Sequence, residues 1–290
     1  MPLLIIGSFR PENSRKVFLT ALMFGAISSL PLFAVFLISR EHKEHVETEP
    51  PRLIASLKAL VKNPPFLLGL GIFLFTWVSV DLMQTILLYF LKYCLNRERQ
   101  SDLVMGTVFA AAIIALPLWN WLARRWNKRT TYIVGVAFWA AVQLAIISLG
   151  PSTPLPLLLA LCFLAGVGLG AAHVLPWSIL PDAIEWDEWK TGERHEGLFY
   201  SAVTLCQKVA SSIAIPLALL LLSISGYRPN EAAQSPAALG VIRLITGPIP
   251  AVLLGLGILC AILYPLNRRL HARIVAELES RRAAKLDTKV

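Results

Sequence analysis

Residues 155–180 read LPLLLALCFLAGVGLGAAHVLPWSIL, a run with no Asp, Glu, Lys or Arg and a single histidine, His173. A helix needs about 20 predominantly apolar residues to cross a hydrocarbon core about 30 Å thick. Backbone polar groups in lipid must also be paired within the spanning structure. A run of this length and character therefore predicts a transmembrane α-helix.

Six further segments have the same character, and the composition agrees with them. Of the 290 residues, 56% are hydrophobic and 16% are charged, whereas soluble domains carry about 25% charged residues. Segments of this length exclude a barrel of short alternating strands. We predict an all-α, polytopic helical membrane protein with seven spans at residues 17–38, 65–91, 103–123, 131–149, 155–180, 198–224 and 237–266.

The connections between the spans differ in basic charge. With the C-terminus in the cytoplasm, 18 of the 27 Lys and Arg residues lie in internal regions and 7 in external ones. Cytoplasmic loops are the ones enriched in Lys and Arg, so we predict a cytoplasmic C-terminus. The odd number of helices then places the basic residues 1–16 outside, as if an upstream part preceded them. Because the basic residues follow the topology, no nucleic-acid partner is expected.

One connection divides the chain into unequal parts. Residues 51–62 (PRLIASLKALVK) place their apolar side chains on one helical face, which predicts an amphipathic helix. This helix lies on anionic membrane lipids or is a packed connector; the sequence leaves both open. The connector 41–64 thus separates one helix, within residues 1–40, from six helices within 65–266, and a basic tail follows at 267–290.

Ionisable side chains inside spans are costly in lipid and are the first candidates for a functional site. Lys208 lies about ten residues from the cytoplasmic end of its span, roughly 15 Å of rise, so we expect it to face a cavity. Asp81 shares a helix face with Gln84 and Trp77, and it either binds a cation or hydroxyl or clamps two helices together. By depth, His173 is closer to Lys208 than Asp81 is.

Other motifs in the sequence have simpler interpretations. Gly166 and Gly170 form a GxxxG pair, which predicts close helix packing rather than a nucleotide loop. No GxSxG, HExxH or clustered Asp motif occurs, so we expect no enzyme, no metal site and no cofactor.

Residues 176–197 read PWSILPDAIEWDEWKTGERHEG. This stretch resembles the signature between the tenth and eleventh helices of the glycoside–pentoside–hexuronide:cation symporter family, the branch of the major facilitator superfamily that includes melibiose permease. The family pattern is roughly D-x-[VI]-[DE]-[YW]-x-E-x-K-T-G-x-R-x-E-G, with an aromatic residue, a Ser or Ala and a Lys after it. Phe199, Tyr200, Ser201 and Lys208 fit that continuation, and the resemblance covers about residues 17–270.

The resemblance implies a twelve-helix transporter whose two halves enclose a cavity with alternating access. On that mapping the chain holds the sixth helix, the connector and the C-terminal six-helix half, and it lacks the first five helices. It implies symport of a sugar or glycoside with Na⁺ or H⁺. Lys208 matches a family Lys that contacts the cation site, Thr204 matches a polar neighbour, and His173 replaces a substrate-facing aromatic residue. The expected cavity residues are Lys208, Thr204, His173, Asp81, Gln84 and Trp177.

Two oppositely charged stretches are expected to face each other in the cytoplasm. Residues 181–197 carry six acidic and two basic groups, and residues 124–129 (RRWNKR) carry four positive charges. Their pairing would close a cytoplasmic gate in one transport state; the alternative is two solvated loops, screened beyond about 8 Å. The expected gate residues are Asp182, Glu185, Glu188, Arg194, Arg124, Arg125 and Arg129.

The leading hypothesis is therefore a cation-coupled symporter of a sugar or glycoside in the plasma (inner) membrane. One alternative is a lysolipid or amphiphile carrier in which Lys208 faces a phosphate. Another is a non-transporting remnant, or a half-transporter whose cavity is completed by a separate N-terminal half.

Overall fold

The computed structural model describes residues 14–38, 60–192, 195–229, 231 and 233–287, and within these ranges it is helical without strands. A π-helical turn, Phe90–Cys94, continues the second helix, and a short 3₁₀ turn, Glu98–Gln100, precedes the third. The described α-helices are α1 Ser14–Ile38, α2 Pro64–Tyr89, α3 Ser101–Arg125, α4 Lys128–Ile146, α5 Leu155–Thr191, α6 Glu196–Ile224, α7 Pro236–Thr246, α8 Pro248–Leu263 and α9 Arg268–Asp287.

Seven stretches of the described chain are long and apolar enough to cross a membrane, and each overlaps one of the seven predicted spans. The prediction of an all-α, polytopic membrane protein is confirmed. The chain divides into two units, Met1–Arg52 with α1 and Leu53–Val290 with the other helices. Most of the predicted amphipathic helix, residues 51–59, lies outside the described residues.

Two helix boundaries differ from the sequence-based expectation. The fifth span was expected to end at Leu180, but α5 continues through Pro181 to Thr191 and ends where Gly192 adopts a left-handed conformation with φ 76°. The acidic stretch expected as a loop is therefore largely helical. The seventh span is divided at Gly247 into α7 and α8, because Pro248 lacks an N–H and disfavours helical backbone in the residue before it.

The core forms around α5, which packs against α2, α3 and α4, while α8 packs against α2 and α4. Tyr132 and Trp139 of α4 are among the largest fully buried side chains. The Tyr132 hydroxyl is hydrogen-bonded to Thr76 of α2 at 2.7 Å, and the Trp119 indole N–H of α3 donates to the Val167 carbonyl at 2.7 Å. These bonds satisfy polar groups that would otherwise be costly to bury.

Glycines allow three of these helices to approach closely. A Cβ atom added at Gly166 would lie 2.7 Å from the Ala111 Cβ atom of α3 and would overlap the Val108 carbonyl oxygen. A Cβ atom at Gly168 would lie 2.5 Å from the Trp139 Cβ atom of α4. Small residues at such crossings let backbones come within van der Waals contact of each other.

Candidate functional site

An aromatic cluster joins α2, α5 and α6. Phe73 of α2 stacks on Trp77 with ring centroids 5.4 Å apart and meets Trp177 of α5 edge-on at 4.7 Å. His173 lies 5.7 Å from Trp77. Trp177 stacks on Tyr200 of α6 at 6.4 Å. Two of the expected cavity residues, His173 and Trp177, are thus brought together.

Trp177 is only partly covered by these neighbours, with 37% of its surface exposed. Trp77, His173 and Tyr200 are partly buried. The cluster therefore presents aromatic faces to the outside of the six-helix unit, and such faces bind apolar or cationic groups.

Asp81 lies one helical turn beyond Trp77 on α2. Its carboxylate accepts a short hydrogen bond from the Ser211 hydroxyl of α6, and Gln84 on the next turn is exposed. Nothing in the sequence paired Ser211 with Asp81, because the two residues are far apart along the chain. Within the described residues Asp81 therefore links α2 to α6, which is the arrangement expected if this carboxylate clamps two helices together.

Lys208 lies on an exposed face of α6. It lines a shallow groove of about 520 Å³ together with Tyr200, Ser201, Thr204 and Leu205. The Thr204 hydroxyl donates to the Tyr200 carbonyl at 2.8 Å, so its oxygen stays available as an acceptor. Among the described residues, no hydrogen bond or ion pair engages the Lys208 ammonium, and none connects it to Asp81 or His173.

A second set of charged residues lies where α4, α5 and the tail helix α9 meet; we call this the tail end of the bundle. The Lys128 ammonium lies 2.5 Å from the Asp182 carboxylate. His271 Nε2 lies 2.5 Å from Glu185 and 3.4 Å from Asp182. We call Lys128, Asp182, Glu185 and His271 the tail-end cluster.

The other expected gate residues have separate environments. The Arg129 guanidinium donates to the carbonyls of Ile262 and Tyr264. Glu188 accepts the Gly192 N–H through its backbone carbonyl. Arg124 and Arg125 are exposed, and Arg194 lies outside the described residues.

Sequence reasoning counted Lys128 within the basic stretch but did not single it out, and it missed His271 entirely. The signal for His271 was weak, because a histidine in a basic tail gives no indication of a partner on α5. One oxygen or nitrogen from each of Asp182, Glu185 and His271 lies within 4.8 Å of the others, a donor set that suits a metal ion. The Lys128 ammonium already neutralises the Asp182 carboxylate of this group.

Tail helix α9 is held along α5 by further contacts. Ile274 and Leu278 are buried. The Trp189 indole N–H donates to Glu277 at 2.8 Å, and Arg281 donates to the Trp189 carbonyl at 2.9 Å. The described part of the tail is thus a docked helix.

The contact between α9 and α5 is expected to depend on pH through His271. The hydrogen bond to Glu185 and the attraction of Asp182 raise the pKa of His271 above its ordinary value of 6.5, although partial burial acts in the opposite direction. A raised pKa means that folding favours the protonated form. The stabilisation is complete below about pH 6.5 and is lost as the pH rises through the raised pKa.

We expect His271→Gln to reduce the pH dependence of stability. Apparent unfolding midpoints in detergent, measured at one scan rate between pH 5.5 and 9, should fall more steeply for the wild-type protein than for the variant. His271→Lys, which keeps a positive charge over this range, is the matched control and should also give a flatter profile. Equal slopes for the wild type and His271→Gln would contradict the assignment.

Comparison with known proteins agrees with this architecture. Residues 1–268 match the family model described as MFS/sugar transport protein. The chain is 34% identical over 254 residues to an uncharacterized symporter of Synechocystis sp., which covers 83% of this chain and 46% of that protein.

Two further relatives carry specific names. A sodium-dependent lysophosphatidylcholine symporter 1-A of Danio rerio is 28% identical, over 73% of this chain and 40% of its own. An isoprimeverose transporter of Lactiplantibacillus pentosus is 27% identical, over 96% and 57%. The chain spans about half the length of the curated relatives it matches. Because the family match covers most of the sequence, this integral, multi-pass membrane protein belongs to the MFS/sugar transport protein family.

Proposed function

We propose that the protein takes part in cation-coupled transport of a sugar or glycoside by alternating access. The observation that carries this proposal is the face formed by α2, α5 and α6. It combines aromatic rings, a hydrogen-bonded carboxylate at Asp81 and an ammonium without a described partner at Lys208. Sugars bind to such faces because their C–H surfaces pack on aromatic rings while their hydroxyls bond to polar groups.

The proposed arrangement follows the family resemblance. Residues 65–266 form the six-helix C-terminal half, residues 1–40 hold the preceding helix, residues 41–64 are the connector, and the tail 267–290 lies in the cytoplasm of a plasma (inner) membrane. The site residues are Lys208, Thr204, His173, Asp81, Gln84 and Trp177, and Na⁺ or H⁺ is the coupling ion. The face that they line would be closed by an N-terminal half of the same or another polypeptide.

The tail end supplies the proposed cytoplasmic gate. Lys128 pairs with Asp182 in the described structure, and this contact joins the start of α4 to the cytoplasmic part of α5. Glu185, Glu188, Arg194, Arg124, Arg125 and Arg129 complete the charged set. Because these residues all lie in one six-helix half, the contacts would break in the opposite transport state through a shift of α4 against α5 within that half.

A lysolipid is the second candidate substrate, and the surface around Lys208 favours it. Leu205 and Val209 beside Lys208 are 65% and 50% exposed. An ammonium flanked by apolar side chains suits a phosphate with an attached acyl chain. Several relatives named as lysophosphatidylcholine symporters support this alternative.

Uptake by membrane vesicles from cells that produce the protein distinguishes these candidates. Radiolabelled isoprimeverose and lysophosphatidylcholine are offered under an inward Na⁺ gradient, an inward H⁺ gradient and no gradient. Gradient-dependent accumulation of the sugar alone supports the leading proposal, and accumulation of the lysolipid alone supports the second. Uptake that appears only when a separate N-terminal half is supplied identifies a half-transporter, and no effect of either gradient on either compound contradicts cation coupling.

A further inference from the structure

A cavity of about 380 Å³ opens at the tail end, among the α3–α4 turn, α5 and the junction between α8 and α9. Its volume falls within the range of small-molecule sites, about 300–1,000 Å³. This cavity is separate from the Lys208 groove on the α2–α5–α6 face, because the cavity and the groove have no lining residue in common. The proposed gate residues Arg124, Arg129 and Asp182 are among its lining, but the proposed gate involves only contacts between side chains and assigns no ligand to the cavity.

The lining of this cavity carries more positive than negative charge. Asp182 is the one carboxylate among the described residues that line it, and Lys128 and His271 already lie 2.5 Å and 3.4 Å from this carboxylate. Within the part of the chain that the structure describes, the Arg129 guanidinium donates to two neutral carbonyls and to no carboxylate. Arg124 and Arg268 have no ion pair among the described residues. Among the described residues, three guanidinium groups, those of Arg124, Arg129 and Arg268, thus lie at this opening without a carboxylate partner.

The position of the cavity in the membrane indicates what it meets. The lining residues lie at or next to the ends of three candidate membrane spans. These spans are Glu98–Arg125, Lys128–Ile146 and Pro236–Leu263. The cavity therefore lies at the boundary of the hydrocarbon core, at the level of lipid headgroups. Trp126 and Leu263 lie next to lining residues in the sequence and are 48% and 60% exposed. An exposed tryptophan suits the membrane–water interface, and an exposed leucine suits contact with acyl chains.

We propose that this cavity binds the phosphate of an anionic membrane phospholipid, with Arg124, Arg129 and Arg268 around the phosphate oxygens. Guanidinium groups form paired hydrogen bonds to phosphate, and basic pockets between transmembrane helices bind anionic headgroups. Asn127 and Asn267 cap the N-termini of α4 and α9 and line the cavity. The N-terminal ends of these two helices therefore add their partial positive charge there. The lipid would hold the tail helix against the bundle from the membrane side.

Two double variants with the same change in net charge test the proposal. Arg124→Gln/Arg268→Gln removes the two guanidinium groups that have no described partner, and Arg125→Gln/Arg269→Gln removes their exposed neighbours, which do not line the cavity. The whole protein in neutral detergent is titrated calorimetrically with dioctanoylphosphatidylglycerol, dioctanoylphosphatidylcholine and glycerol 3-phosphate.

Phosphatidylglycerol should bind the wild type and the neighbour variant alike and bind the cavity variant about 30-fold more weakly, since each basic group near anionic lipid contributes about a factor of five. Equal affinities of the two double variants would overturn the site. Equal binding of phosphatidylcholine would overturn the preference for an anionic lipid. Glycerol 3-phosphate binding as tightly as phosphatidylglycerol would assign the cavity to a free phosphate ester and overturn the lipid proposal.

Discussion

Lys208→Met is expected to lower cation-dependent uptake of the transported substrate at least about thirtyfold. The Lys208 side chain is exposed on α6 and has no described partner, yet it lies within a membrane span. A charge at that depth is costly unless a cavity or an opposite charge faces it. In the proposed transporter the ammonium would therefore face an anionic group of the cation site or of the substrate, and removing one member of such a pair costs roughly 2–5 kcal/mol.

The measurement is the initial uptake rate under Na⁺ and H⁺ gradients, normalised to the amount of protein in the membrane. Lys92→Met is the matched control, because it removes the same charge from a lysine that is paired with Glu98 at 2.9 Å outside the proposed site. This control should retain most of the activity. If Lys208→Met kept its uptake and its cation dependence, the proposed role of Lys208 would be wrong.

Gly166→Ala is expected to cost the protein up to about 3 kcal/mol of stability, at the upper end of the usual effect of overpacking. The added methyl group would meet the Val108 carbonyl oxygen and the Ala111 Cβ atom of α3. These atoms cannot move away as the end of a flexible side chain would. Helices α3 and α5 would have to separate along a contact that is central to the bundle.

The apparent unfolding midpoint in detergent at a fixed scan rate measures this effect, and a fall of about 5–10 °C is expected. Gly106→Ala on α3 is the control, because nothing lies within 4 Å of its added Cβ atom. It should leave the midpoint unchanged or raise it slightly, since alanine favours helical backbone over glycine. Equal midpoints for the two variants would contradict the close approach at Gly166.

The membrane spans were predictable because lipid imposes a length and a composition on them. The segment 65–91 was predicted from its apolar run, and the structure gives α2 at Pro64–Tyr89 with a π-helical continuation. The same reasoning could not find the end of α5, since a helix that leaves the membrane keeps its backbone bonds while its side chains become polar. Pro181, the residue directly after the expected end at Leu180, lies inside the helix.

For the candidate site, the sequence predicts which residues lie in membrane spans, but it does not predict their contacts. Counting residues along a span placed Lys208 and Asp81 inside the membrane, because each residue of a helix adds about 1.5 Å. The partner of Asp81 depends on how α2 and α6 are rotated about their axes. Hydropathy carries little information on this rotation when a helix is apolar on most of its faces. The bond to Ser211 and the pairing of His271 with Glu185 therefore required the structure.

The length of α5 has a mechanical consequence. Its 37 residues extend about 55 Å, nearly twice the thickness of a hydrocarbon core of about 30 Å. The helix is thus too long for the hydrocarbon core and extends beyond it. The hydrogen bond between Trp189 and Glu277 joins α9 to the extending part. If the proposed transport cycle tilts the part of α5 inside the membrane, the part outside would tilt with it, where a reporter dye or another macromolecule would detect the change.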